Sequence, residues 1–165
     1  MEVYSGTIIS KKKTCGRGFW YSISSKSAIL SFFSRSEVFS LFEKCEITVE
    51  KRNNSYFLAD FHSYSEVPPL RKNPDNLIAA SWLSNLAASF HSTDTAEAGF
   101  IEKCCDALSG EMSVDDILRL ENDYLEVSGF GVHEELDAVI YDCFPYSKKL
   151  RESLFKQLSR KRLAK

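Results

Sequence analysis

The sequence predicts an α+β protein in which a small β-barrel is followed by an all-helical part. Three observations support this class. Short segments rich in β-branched and aromatic residues, separated by tight turns, occupy roughly the first sixty residues. Apolar residues with helical spacing dominate the rest of the chain. Between the two lies Pro68-Pro69, which interrupts both strand ladders and helices, so we predict domains at residues 1–67 and 68–165.

The first domain is predicted to contain about five short strands. The β pattern covers residues 3–12, 18–24, 27–34, 37–43, 45–52 and 55–61. Asn53-Asn54 is a turn candidate, because asparagine tolerates the left-handed backbone conformation. Strands this short favour a small antiparallel barrel, or a sheet rolled on itself, and barrel closure would remove exposed strand edges.

The most apolar helix is predicted over residues 76–90. Its wide apolar face combines two rows of residues, namely Ile78, Trp82, Leu86 and Phe90 beside Ala79, Leu83 and Ala87. Asn73 is a candidate cap, and Pro74 suits the first helical position because it lacks an N–H. We expect the other helices to pack on this one.

Four more helices are predicted downstream. One runs from a Thr93-Asp94 cap to about Leu108, and its buried face is Phe100, Ile101, Cys104, Cys105 and Leu108. The next begins at a capping box of Ser113 and Asp116 and ends before Gly129. A short helix is expected over 133–141. The last helix, from Ser147 to about Leu163, has a leucine stripe that we expect to be surrounded by the basic residues Lys148, Lys149, Arg151, Lys156, Arg160, Lys161 and Arg162.

Charge is strongly segregated along the chain, although the net charge is only −2. Residues 1–93 carry 11 Lys and Arg against 8 Asp and Glu, and residues 143–165 carry 8 against 1. Residues 94–142 carry 2 against 14. The chain therefore has room for a basic surface at each end and an acidic middle.

Composition also indicates the compartment. No run approaches the roughly 18 to 20 apolar residues of a membrane span, and the N-terminal residues lack the pattern of a signal peptide. The five cysteines are an odd number, and two of them are adjacent, which indicates reduced thiols. We expect a cytoplasmic protein.

Catalysis and metal binding have little support in the sequence. There is no G-x-S-x-G, H-E-x-x-H or glycine-rich phosphate motif, and no pair of cysteines has zinc-knuckle spacing. Glu121, Asp123 and Glu126 are expected at polar surface positions, which gives no buried carboxylate pair. We predict no catalytic residue, no metal and no cofactor.

Nucleic-acid binding has more support. Cations lie on several strands and loops of the barrel, interleaved with aromatic residues, and single strands are bound in this way. Of Phe19, Trp20, Tyr21, Phe32 and Phe33, two or three are expected to be buried. The candidate DNA-binding residues are Lys11, Lys12, Lys13, Arg17, Trp20, Lys26 and Arg35, with most weight on the 11–17 loop. The basic C-terminal helix is a second candidate, equally well explained as a solvated amphipathic helix.

Several stretches, in the same order, resemble a known family. They are GTII after Val3-Tyr4, Phe39-Ser40-Leu41 with the hairpin EITVEKRNNSYFLADF, the helix AASWLSNL, and LRLENDYLEVSGFGV. Over about residues 3–145 they are similar to RecO, the bacterial recombination mediator. The chain departs from the family pattern in lacking its K-G-A-R-like segment and its four-cysteine zinc motif, so no zinc is expected.

This resemblance implies an N-terminal OB-fold and a helical second domain. It implies a role in DNA repair and recombination after DNA damage, through binding to single- and double-stranded DNA and strand annealing. It also implies partnership with RecR and with single-strand-binding protein. An alternative function of another class is a non-enzymatic adaptor, which would dock a basic partner on the acidic helical domain.

Overall fold

The structure, a computed structural model, describes residues 1–26, 28–64, 68–90, 95–131 and 136–163, and for residues 162 and 163 it describes only the backbone. Three sequence predictions lie outside the described residues. They are the Thr93-Asp94 cap, the start of a helix at His133, and the side chain of Arg162.

Five strands form a closed barrel. They are β1 (Glu2–Lys13), β2 (Phe19–Ser25), β3 (Ile29–Ser34), β4 (Lys44–Arg52) and β5 (Ser55–Ser63). The strand order around the barrel is β1-β2-β3-β5-β4, with β3 and β5 parallel and the other pairs antiparallel. Asn53 and Asn54 both have positive φ, as the predicted turn requires. The fold class is therefore confirmed as an OB-like barrel followed by helices.

Side chains alternate between the two faces of the barrel wall. Tyr21 and Phe32 are buried in the barrel core, whereas Trp20 points outward and is 37% exposed. Phe19 and Phe33 are half-buried. Two of the five aromatic residues are thus fully buried, which confirms the expected number and follows from the two-residue period of a strand.

Residues 37–43 are a correction to the predicted strands, because they form the loop between β3 and β4. Phe39 packs into the barrel core against Tyr21 and Phe32. Phe42 has φ +60° and is buried in the core formed mainly by the helices. The apolar pattern of this stretch therefore arises from two aromatic residues that close the barrel and join it to the helices.

The rest of the chain is helical. The helices are α1 (Pro69–Lys72), α2 (Leu77–Ala87), α3 (Thr95–Ser109), α4 (Val114–Val127), α5 (Leu136–Cys143) and α6 (Lys148–Leu163), with 3₁₀ turns at Pro74–Asn76 and Pro145–Ser147. The capping box of Ser113 and Asp116 is confirmed. The predicted Asn73 cap is wrong. The side chains of Asn73 and Asn76 instead donate hydrogen bonds to the Gly110 carbonyl, at 2.8 Å each.

A buried polar network connects four of the helices, and it corrects two predictions. Glu121 and Arg151, both expected at the surface, are buried. Arg151 donates from Nε and Nη2 to the Glu121 carboxylate at 2.6 and 2.7 Å, and Trp82 Nε1 donates to the same carboxylate at 2.9 Å. Arg151 also pairs with Asp137 of α5 at 2.7 Å. A buried charge requires such pairing, which neither residue type nor local spacing reveals.

The helices pack directly on one part of the barrel. A bulge in β1 places Ile8 in the barrel core and Ile9 in the helical core, and Ser84 of α2 donates to the Ile9 carbonyl at 2.7 Å. Lys44 pairs with Glu102 of α3 at 2.6 Å. The division into two domains near residue 67 stays a prediction. In the ranges that the structure describes, no helix is long and apolar enough to cross a membrane.

Candidate nucleic-acid interface

Five residues, one from each strand, form a single row across the outside of the barrel. Lys12 lies opposite Trp20, Trp20 opposite Phe33, and Phe33 opposite Phe57, which in turn lies opposite Glu50. Residues directly opposite each other in a sheet point to the same face. We call Trp20, Phe33 and Phe57 the aromatic row.

The three rings of the aromatic row contact one another edge to face. The ring centroids of Trp20 and Phe33 are 5.7 Å apart, and those of Phe33 and Phe57 are 5.8 Å apart. Edge-to-face packing leaves part of each ring open to a further stacking partner. Trp20 is the most exposed of the three, and Phe33 and Phe57 are half-buried.

Gly18 supports the position of the middle ring. A Cβ atom at Gly18 would lie only 2.2 Å from Cζ of Phe33 and 2.9 Å from the Ser34 carbonyl oxygen. The Phe33 ring therefore lies directly over the Gly18 backbone, a close approach that only glycine permits. The β1–β2 loop and the aromatic row are thus one packed unit.

Four cations lie at the end of the barrel that carries the aromatic row. Lys12 and Lys13 end β1, Arg17 lies in the β1–β2 loop, and Arg35 directly follows β3. Lys13 lies opposite Phe19, which lies opposite Ser34, so these cations share one end of the barrel. All four are exposed, and none pairs with a carboxylate in the part of the chain that the structure describes. We call them the basic rim.

Two further cations near the row are held by carboxylates. Lys11 pairs with Glu37, and Arg52 pairs with Glu50 at 2.6 Å while lying 5.7 Å from the Phe57 ring centroid. The hydrogen bonds from Lys11 and Arg52 lower the pKa of Glu37 and of Glu50, so both carboxylates stay ionised at neutral pH. Exposed ion pairs contribute only about 0–1 kcal/mol, so a phosphate could compete for either cation.

A cleft opens where the row crosses from β3 to β5. These strands pair over only two residue pairs, Phe32 with Tyr56 and Phe33 with Phe57. Beyond them lies a cleft of about 430 Å³, bordered by Phe33, Phe57, Arg35, Arg52, Glu50 and Leu58. Its volume is within the range of small-ligand sites, about 300–1,000 Å³.

A polar row runs beside the aromatic row. Ser10, Ser22 and Ser31 lie opposite one another on β1, β2 and β3, and the hydroxyls of Ser22 and Ser31 are 3.1 Å apart. Hydroxyls both donate and accept hydrogen bonds. The exposed part of the β1–β2–β3 face therefore offers rings, cations and hydroxyls side by side.

The structure brings most of the predicted DNA-binding residues together. Lys12, Lys13, Arg17, Trp20 and Arg35 lie on or beside the aromatic row, and Lys11 is near them in its ion pair with Glu37. Lys26 does not join them. It follows β2 at the opposite end of the barrel, beside Ile101 and Glu102 of α3.

The DNA-binding residues predicted from the sequence do not include Phe57 and Arg52, and the sequence does not separate Phe33 from the buried aromatic residues. The Asn53-Asn54 turn fixes the register of Phe57 against Glu50, so that part was available from the sequence. The parallel pairing of β3 with β5, which places Phe57 beside Phe33, is non-local and leaves no signal in either strand.

The buried thiols add no reactive site here. All five cysteines are free, and burial raises the pKa of Cys45 and of Cys105 to about 12. Such thiols are poor nucleophiles because little thiolate forms. In the described ranges, no group of three or more His, Cys, Asp or Glu side chains is arranged to hold a metal ion.

No protein-family model and no curated protein matches the sequence of this chain. The resemblance to RecO therefore stays a prediction.

Proposed function

We propose that the protein binds single-stranded DNA across the aromatic row and the basic rim, without catalytic turnover. The observation that supports this most is the row itself, in which Lys12, Trp20, Phe33 and Phe57 come from four different strands and face outward together. OB-folds bind oligonucleotides on the face of strands 2 and 3 and on the neighbouring loops, which is where this row lies.

Stacking explains why the ligand is a single strand. Bases of a duplex already stack on one another, whereas unpaired bases are free to stack on exposed rings, at about 1–3 kcal/mol per base. Lys12, Lys13 and Arg17 of the basic rim supply positive charge for the phosphates at the Trp20 end of the row, and Arg35 and Arg52 supply it beside Phe33 and Phe57. Rings for the bases and cations for the phosphates are the combination that such ligands require.

The cellular role that we propose is that of a recombination and repair mediator of the RecO type. It rests on the resemblance in the sequence, and it would include a RecR-like partner and single-strand-binding protein. The surface described above supports the DNA-binding part of this role. The partners and the annealing of strands are part of the proposal and need experiments of their own.

Salt dependence tests the proposed function. Binding of a labelled single-stranded oligonucleotide should weaken with salt by roughly 0.7 log units per log unit of salt for each phosphate neutralised. The triple variant K12A/K13A/R17A should lose about three such contacts, so its slope should fall by about 2. The matched control is K149A/K156A/R160A, which removes three exposed cations from α6.

Fluorescence anisotropy at a series of salt concentrations measures both slopes. A wild-type affinity that does not change with salt would contradict the proposal. So would equal losses in the two triple variants, because the effect would then reflect total charge or the basic C-terminal helix as much as this surface.

A second candidate function uses the acidic groove between α3 and α4. Asp106, Asp116 and Asp123 border it, and its two cations, Lys103 and Arg119, are already paired with Asp123 and Asp116. A basic segment of a partner protein would fit this charge, as the adaptor hypothesis requires. In a pull-down, D106K should then lose the partner and keep the DNA affinity of the wild type.

A further inference from the structure

We propose that the cleft between β3 and β5 is a nucleotide pocket, which takes one base of the bound strand and prefers a base with an exocyclic amino group over thymine. This inference rests on the proposed function, since the strand must first lie across the aromatic row. It adds a preference among bases, which stacking on the row alone would not give.

The cleft lies on the path of a strand bound along the aromatic row. A strand lying along the aromatic row from Trp20 to Phe57 passes over the point where β3 and β5 separate. The cleft there is about 430 Å³, and two rings of the row, Phe33 and Phe57, form its edge. A base that leaves the stack at this point has an apolar wall to pack on and space to enter.

The border of the cleft carries charges of both signs. Arg35 and Arg52 lie at its border, so a phosphate on either side of an inserted base would have a cation within the same site. Glu50 also borders the cleft, although a carboxylate repels the phosphates of a bound strand. Its pairing with Arg52 at 2.6 Å holds it in place and keeps it ionised.

Glu50 accounts for the preference among bases. An ionised carboxylate only accepts hydrogen bonds, and it has room for more donors than Arg52 alone supplies. The amino groups of cytosine, adenine and guanine are such donors, and carboxylates accept from the N4 amino group of cytosine. In thymine the N3–H lies between two carbonyl oxygens, and a carboxylate repels these oxygens. Glu50 therefore selects against thymine.

Oligo-dC and oligo-dT of equal length test the pocket, since both are pyrimidine strands. Wild type should bind oligo-dC about tenfold more tightly, the size expected for one hydrogen bond to a charged group. In E50Q the ratio of the two dissociation constants should fall towards one. The ratio is the readout because removal of a negative charge strengthens binding of both strands alike.

Two control variants make the result specific. E46Q is the matched control, because Glu46 also lies on β4 but accepts hydrogen bonds from Ser5 and Tyr64, away from the cleft. It should keep the wild-type ratio. W20A should weaken binding of both strands and also keep the ratio, because Trp20 does not border the cleft.

The outcomes separate the pocket from the proposed function. Binding that depends on Trp20 but is equal for the two strands would overturn the pocket and leave the DNA-binding surface intact. A preference that survives in E50Q would also overturn it. If neither strand binds at low salt, the proposed function fails, and the pocket fails with it.

Discussion

At the scale of single residues, the two tryptophans have different environments. Trp82 is buried in the helical core and donates its indole N–H to Glu121, whereas Trp20 is exposed on the barrel surface. An exposed tryptophan packed against a neighbouring ring is already held in place, so little conformational entropy is lost when a base stacks on it. This makes Trp20 the residue of the row from which we expect the largest stacking contribution.

We predict that Gly18→Ala weakens DNA binding, because the new methyl group would displace the Phe33 ring. Phe33 is the ring that contacts both Trp20 and Phe57. The expected loss is about fivefold or more, corresponding to one stacking contact of at least about 1 kcal/mol. Gly16→Ala is the matched control, since the nearest heavy atom to its Cβ would be 4.0 Å away. Anisotropy titrations of both variants measure the effect, and equal affinities would contradict this role of Gly18.

At the scale of elements, the sequence predicted what depends on local spacing. The buried face of α3 is the predicted set, Phe100, Ile101, Cys104, Cys105 and Leu108, because helical periodicity alone determines it. The capping box of α4 is predictable for the same reason, because it depends only on the spacing of Ser113 and Asp116. The apolar pattern predicts a strand over residues 37–43, which is wrong because Phe39 and Phe42 reach two different cores from a loop.

The candidate surface is predictable from the sequence only in part, for the same reason. Lys12 and Trp20 belong to one hairpin, so their proximity follows from the β1–β2 turn. Phe33 and Phe57 meet through parallel strands that are distant in the chain. The sequence wrongly predicts Glu121 at the surface, because its burial depends on Arg151, which is thirty residues away and itself has the pattern of a surface cation.

The Glu121–Arg151 pair should matter for the stability of the helices. Burial alone would lower the pKa of Arg151, but the hydrogen bonds and attraction of Glu121 outweigh it and raise the pKa, so the guanidinium stays charged. We predict that Arg151→Met lowers the free energy of unfolding by about 3–5 kcal/mol, because it leaves Glu121 buried without its ion pair.

Lys149→Met is the matched control, since it removes an exposed cation from the same helix. Urea denaturation of both variants gives the two free energies. A loss in Arg151→Met no larger than that of Lys149→Met would show that the network is not a stabilising feature of the core.

In the molecule as a whole, the packing of the helices leaves one part of the barrel open, and that part carries the basic rim. The helices cover the β1–β2–β3 face at the Ile9 and Ile29 end and leave the aromatic row open. The acidic groove of α3 and α4 belongs to the helical part, whereas the basic rim belongs to the barrel. A negatively charged strand should therefore be steered to the barrel and away from the acidic groove.

Intrinsic tryptophan fluorescence reports directly on base stacking at the aromatic row, because of the two tryptophans only Trp20 lies on the proposed surface. Titration with a single-stranded oligonucleotide should quench the emission to saturation, as bases stack on Trp20. Trp20→Phe should still bind in an anisotropy assay but lose this quenching. If the oligonucleotide binds by anisotropy while wild-type emission stays unchanged, or does not bind at low salt, the aromatic row is not a single-strand binding surface.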